Sequence, residues 1–143
     1  PGTITRLLDI GIAPFLVGSC LNLVMAQRLV RRICKNCKEE YTSTPEEMAL
    51  VGLDSGQIKG SLYHGKGCAE CRNTGYKGRL AIFEMIPMAR ELRKLVFESA
   101  NEDDIRQSAL DNGMVTLREA GLARVLDGTT SVEEVLRSTV EDL

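Results

Sequence analysis

Residues 31–38 read Arg-Arg-Ile-Cys-Lys-Asn-Cys-Lys and residues 66–73 read Lys-Gly-Cys-Ala-Glu-Cys-Arg-Asn, two Cys-x-x-Cys pairs with 30 residues between Cys37 and Cys68. Two intervening residues let both sulfurs of one tight turn face a single point. Two such turns therefore offer four thiolates to one centre, which is the tetrahedral demand of a structural zinc ion. Cys34, Cys37, Cys68 and Cys71 are the expected ligands, and the site needs no open position. An iron tetrathiolate of the rubredoxin sort and redox-active or disulfide cysteines are the competing readings. The aromatic-poor composition and the lack of a Cys-Pro-x-Cys-Gly knuckle speak against iron, and the lack of an export signal speaks against disulfides. Lys35, Lys38, Lys66 and Arg72 are expected to favour the thiolate form. His64, the single histidine, is a spare ligand candidate, and Cys20 is expected to be a small core residue.

Outward from the knuckles, the 143 residues are 43% hydrophobic and 27% charged, the balance of an ordinary globular protein, and the 4% aromatic content implies aliphatic packing. The net charge of −2 hides an asymmetry: residues 28–79 hold ten Lys/Arg against six Asp/Glu, and residues 98–143 four against eleven. The middle is basic and the tail acidic. Arg28, Arg31, Arg32, Lys35, Lys38, Lys77 and Arg79 could contact phosphates, but Tyr41, Tyr63 and Tyr76 do not form a stacking series, so nucleic acid is not the expected partner. Residues 10–26 are nearly all apolar but short and interrupted by Pro14, Gly18, Ser19 and Asn22, which favours a buried helix over a membrane span. The chain opens with Pro1 rather than Met and reads as a piece that begins inside a larger protein.

Ile4, Leu7 and Leu8 predict a helix closed at Gly11, followed by a helix opening at Pro14 with Phe15, Val17, Leu21 and Val24 inward. A strand over 27–33 delivers the chain to Cys34. Thr44-Pro45-Glu46-Glu47 predicts an N-cap and a short helix carrying Met48, Leu50, Val51 and Leu53. Residues 54–67 read as loop or short strand around Ile58, Leu62 and Tyr63. Gly75 to Gly78 is turn chemistry, and residues 79–86 form a buried strand. Beyond Pro87 the pattern is helical: Leu92, Leu95 and Val96 on one helix, Ile105, Ala109 and Leu110 on a second capped by Asn101 and closed by Gly113. Capping boxes at Thr116/Glu119 and Ser131/Glu134 open two more, the whole reading as a small helical bundle. No Gly-x-x-x-x-Gly-Lys-Ser/Thr, Gly-x-Ser-x-Gly or His-Glu-x-x-His occurs, so this stretch is not expected to be an enzyme by itself.

The segments Arg6-Leu7-Leu8-Asp9-Ile10-Gly11, Gln27-Arg28-Leu29 and Thr74-Gly75-Tyr76-Lys77-Gly78-Arg79, set around the two knuckles, closely resemble the C-terminal part of the secretion ATPases. These are the hexameric motors of type IV pilus assembly and type II secretion. The resemblance runs over nearly the whole chain. It implies an α/β fragment: residues 1–33 the last helix and strand of a RecA-like core, 34–78 the tetracysteine zinc-binding subdomain, and 79–143 a returning strand with the C-terminal helices. It further implies that ATP and Mg are bound only by the intact parent, through Walker motifs upstream, and that the parent is a homo-hexamer. Its place would be cytoplasmic, peripheral to a bacterial inner membrane and not spanning it, against inner-membrane platform proteins. An independent zinc-ribbon module binding nucleic acid or protein is the alternative.

Overall fold

The computed structural model describes residues 1–50 and 62–139, without the side chains of Met48 and Leu50. Val51 and Leu53 of the expected short helix, and Ile58 of the expected loop or short strand, lie outside the described residues. The described chain is mixed α/β: α1 (Gly2–Asp9), α2 (Pro14–Cys20), β1 (Leu23–Ile33), β2 (Lys38–Tyr41), α3 (Pro45–Leu50), β3 (Leu62–Gly65), a 3₁₀ turn (Ala69–Cys71), β4 (Tyr76–Pro87), α4 (Arg90–Phe97), α5 (Glu102–Asp111), α6 (Leu117–Leu126) and α7 (Val132–Ser138). β1 pairs with β4, and β2 pairs antiparallel with β3 so that Lys38 faces Gly65 and Tyr41 faces Leu62. Two compact units result, each from two segments: residues 1–26 with 84–116, and 27–83 with 117–143.

The first unit packs Ile4, Val17, Ile86, Met88, Leu92, Val96, Ile105, Ala109 and Met114 into one apolar core. α1 ends as predicted. Gly11 has φ +91° and donates to Leu8 O at 2.9 Å, and Ile12 N donates to Leu7 O at 3.2 Å, which satisfies two of the helix's last carbonyls. Asn101 caps α5 by accepting from Asp104 N at 2.9 Å, and Gly113 closes that helix at φ +86°.

The apolar run 10–26 is not one buried helix. Pro14 starts α2, Leu21 is already extended, and seven residues give a helix with one narrow inner face, which Val17 and Gly18 occupy. Phe15 sits about 200° round the helix from Val17 and is 62% exposed, contrary to expectation. Cys20, the last helical residue, is exposed rather than in the core. A Cβ on Gly18 would come within 2.7 Å of the Phe97 ring on α4, and that half-exposed ring would have to shift to admit it.

The second unit has its own core: Leu62 from β3, Leu122 and Val125 from α6, and Val132 and Val135 from α7, with Tyr41 and Leu136 against them. A Cβ on Gly121 would meet Val135 at 2.7 Å, so α6 and α7 owe their close approach to that glycine. The helices expected as one bundle are thus divided, α4 and α5 in the first unit and α6 and α7 in the second. The Thr44 box on α3 is complete: Glu47 N donates to Thr44 Oγ1 at 3.2 Å and Thr44 N to the Glu47 carboxylate at 3.0 Å. The Ser131 box is half made. Ser131 Oγ accepts from Glu134 N at 3.3 Å, but the Glu134 carboxylate bonds Arg31 and Arg137 instead. Residues 76–78 are strand rather than turn; the reversal lies earlier, at left-handed Arg72 and Asn73, where the 3₁₀ turn ends.

Candidate metal centre

β1 ends at Ile33, so Cys34 is the first residue beyond the strand and Cys37 the last before β2. Cys68 and Cys71 bracket the 3₁₀ turn between β3 and β4. The four sulfurs lie within 4.8 Å of one another. Cys34 to Cys68 and Cys37 to Cys71 are 3.8 Å, and Cys68 to Cys71 is 3.7 Å. A disulfide needs about 2.05 Å, whereas four sulfurs about 2.3 Å from a common centre form a tetrahedron with edges of about 3.8 Å. The spacing fits a tetrathiolate cage and excludes cystines in this arrangement.

The two knuckles reach each other through glycine. Cys34 N donates to Gly75 O at 2.9 Å, and Lys66 N to Cys37 O at 3.0 Å, so each pair is stitched to the strand leading into or out of the other. A Cβ on Gly65 would overlap the Gly75 carbonyl, and one on Gly75 would overlap that of Gly65. Gly67 and Gly75 also stand at φ +100° and +77°. Four backbone N–H groups among the described residues point at sulfur: Gly67 at Cys37 (3.3 Å), Cys68 at Cys71 (3.2 Å), Gly75 at Cys71 (3.3 Å) and Cys71 at Cys68. These donors are what sequence reasoning missed, although the glycines flanking the second knuckle were the available signal.

The thiols do not share one acidity. Burial pushes Cys37 up to about 12. Cys71 is also pushed up by burial, but the N–H groups of Cys68 and Gly75, together with hydrogen bonds from the Cys68 and Cys37 thiols, bring it down to about 6. A hydrogen bond from Asn36 leads the lowering at Cys68. A divalent cation bound among them would hold all four as thiolates and offset their mutual repulsion.

Two of the cations expected to serve the sulfurs, Lys38 and Lys66, are engaged elsewhere. Lys38 Nζ lies 4.0 Å from the Tyr63 ring centre, and Lys66 bonds Glu39 at 3.1 Å. Lys77 pairs with Glu70 at 2.5 Å, and Arg31 with Glu134 at 2.7 Å. Arg32, Lys35 and Arg79 line an open cleft of about 510 Å³ beside Cys34. His64 is not one of the clustered donors; its ring meets Tyr41 edge-on at 5.2 Å between centres. Cys20 lies apart, exposed, 3.8 Å from Ser19 Oγ.

Residues 1–137 match the family described as type II/IV secretion system protein. The chain is 41% identical to the type IV pilus assembly ATPase PilB of Myxococcus xanthus, an alignment covering 99% of this chain and 25% of that protein. It is 44% identical to the PilB ATPase of Thermus thermophilus (96% of this chain, 16% of that protein) and 42% identical to type II secretion system protein E of Pseudomonas aeruginosa (99% and 28%). The chain thus spans about a quarter or less of the length of the first two of these relatives and little more of the third.

Proposed function

Because the chain belongs to the type II/IV secretion system protein family, we propose that it is the C-terminal structural and coupling segment of a hexameric ATPase motor, held together by one structural zinc ion. In this reading Cys34, Cys37, Cys68 and Cys71 hold the zinc, which supplies no chemistry to a reaction. Zinc contributes a cross-link on the order of 10 kcal/mol of folding free energy. The single observation carrying the zinc assignment is the set of sulfur separations of 3.7 and 3.8 Å, the edge of a tetrathiolate tetrahedron.

Residues 1–33 then complete a RecA-like core, 34–78 form the zinc-binding subdomain, and β4 returns the chain to that core before the C-terminal helices. Pairing of β4 with β1 supports this return. ATP and Mg are handled by other parts of the parent protein, and the motor works against inner-membrane platform proteins on the cytoplasmic side. No helix among the described residues is long and apolar enough to cross a membrane. The proposal spans both pilus assembly and type II secretion, since relatives from each match at near-equal identity. Metal analysis of protein purified under reducing conditions without added metal tests it: one zinc per chain is expected, and a ratio near zero in folded, reduced protein overturns the assignment.

A further inference from the structure

The loop joining α6 to α7, residues 127–131, is bonded into the backbone beside the cysteines. Ile33 N donates to Thr129 O at 2.9 Å, one residue before Cys34. The Thr130 hydroxyl donates to Arg31 O at 2.7 Å, and the Tyr76 and Ser131 hydroxyls share a 2.6 Å hydrogen bond. On α7, the Glu134 carboxylate has no exposed surface and accepts from Arg31 N (2.9 Å), Nε (2.9 Å) and Nη2 (2.7 Å), and from Arg137 Nη2 (2.7 Å) and Nε (3.2 Å). The Arg31 guanidinium in turn lies 4.1 Å from the Tyr76 ring centre. Tyr76 follows Gly75, which donates to Cys71 Sγ and accepts from Cys34 N. An unbroken chain of contacts thus runs from Glu134 through Arg31, Tyr76 and Gly75 to the Cys71 sulfur and the backbone of Cys34.

A carboxylate buried this fully is costly unless every lone pair is used, and a helix N-terminus needs only the serine cap that Ser131 already supplies. Glu134 therefore does more than serve its own helix, where it bonds Arg137: it reaches beyond α7 to Arg31 on β1. We propose that Glu134 and Tyr76 are positioning residues that join the tetrathiolate cluster to α6 and α7, so that metal occupancy is read in the packing of those helices. The inference rests on the zinc reading above. Linkage makes it reciprocal: if bound metal tightens α7, the Glu134 clamp must tighten metal binding by the same factor.

Two measurements on the full chain test it. Zinc affinity is measured by competition with a chromophoric chelator, and amide hydrogen exchange over residues 117–138 is followed with and without zinc. Glu134→Gln keeps the side-chain size and removes the charge; Tyr76→Phe keeps the ring and removes the hydroxyl. Each is expected to weaken zinc binding by about fivefold or more, while Glu133→Gln, an exposed neighbour on α7, leaves it unchanged. Affinity is compared with the urea stability of each metal-free variant, so that a loss beyond what destabilisation accounts for reports the coupling, and Tyr76→Phe decides the matter should Glu134→Gln fail to fold. Exchange in α6 and α7 should quicken when zinc is withdrawn. If the wild type binds one zinc but exchange in α7 ignores its removal, or Tyr76→Phe binds zinc as the wild type does, the coupling is overturned while the zinc reading stands. If the wild type binds no zinc, both fall.

Discussion

Alanine at Gly75 should disable the metal centre, and alanine at Gly78, three residues further along the chain, should not. Both glycines have positive φ, +77° and +83°, so each substitution carries the cost of a left-handed L-residue, about 1–2 kcal/mol. Surroundings separate them. A Cβ at 78 meets only Arg32 Cδ at 3.9 Å, ordinary contact with a flexible side chain. A Cβ at 75 overlaps the Gly65 carbonyl oxygen and stands 3.0 Å from its carbon, and backbone on both sides cannot swing away. Relief requires separating the two knuckles, which strains the Gly75 N–H bond to Cys71 Sγ and the Cys34 N–H bond to Gly75 O. A neutral hydrogen bond contributes about 1 kcal/mol and one to a charged acceptor about 1.5–3. The excess at Gly75 is therefore about 3 kcal/mol, a factor of more than about a hundred in zinc affinity. Chelator competition at fixed pH on the wild type and both variants measures it. Equal affinities for Gly75→Ala and Gly78→Ala would refute the claim that close backbone approach builds the site.

Cys34→Ser is expected to cost the second unit several kcal/mol in urea unfolding and to abolish stoichiometric zinc, whereas Cys20→Ser, at an exposed position, should stay within about 0.5 kcal/mol of the wild type. Comparable losses from the two would remove the distinction between ligand and bystander. Asn101→Ala deletes the cap of α5 and should destabilise the first unit by about 1 kcal/mol with no change in zinc content, read by thermal unfolding alongside metal analysis. Burial pushes the Glu134 carboxyl upward, but Arg31 and Arg137 pull it further down, leaving it below the usual carboxylate value. Its contribution is therefore complete above about pH 4.3 and lost as pH falls through the depressed folded value. The urea-midpoint gap between wild type and Glu134→Gln, at matched metal occupancy, should hold from pH 7 to 5 and narrow below about 4. A gap that widens on acidification would contradict this.

Where local chemistry decides the outcome, the reading from residues agreed with the structure. Gly11 and Gly113 end their helices, Pro14 and Thr44 open theirs, and Asn101 caps α5, because each involves bonds between residues a few positions apart. The strand before Cys34 was legible from its charged and apolar alternation, though β1 begins four residues earlier, at Leu23. Phe15 and Cys20 were misplaced because apolar character says that a residue can be buried, not that a face is available to bury it. The Glu134 capping box was misread for a related reason: its pattern is local, but its carboxylate answers to Arg31, 103 residues away.

The sequence by itself determined which four cysteines cluster, since two Cys-x-x-Cys spacings supply them in pairs, and it determined the family through motifs spread over nearly its whole length. Only the tertiary structure decided that the knuckles meet across Gly65 and Gly75, that backbone amides donate to the sulfurs, and that the last four helices divide between two cores. Spacing along a chain governs which atoms of one turn converge. Which turns converge on each other depends on distant backbone excluding or admitting a single carbon atom, and no local pattern encodes that.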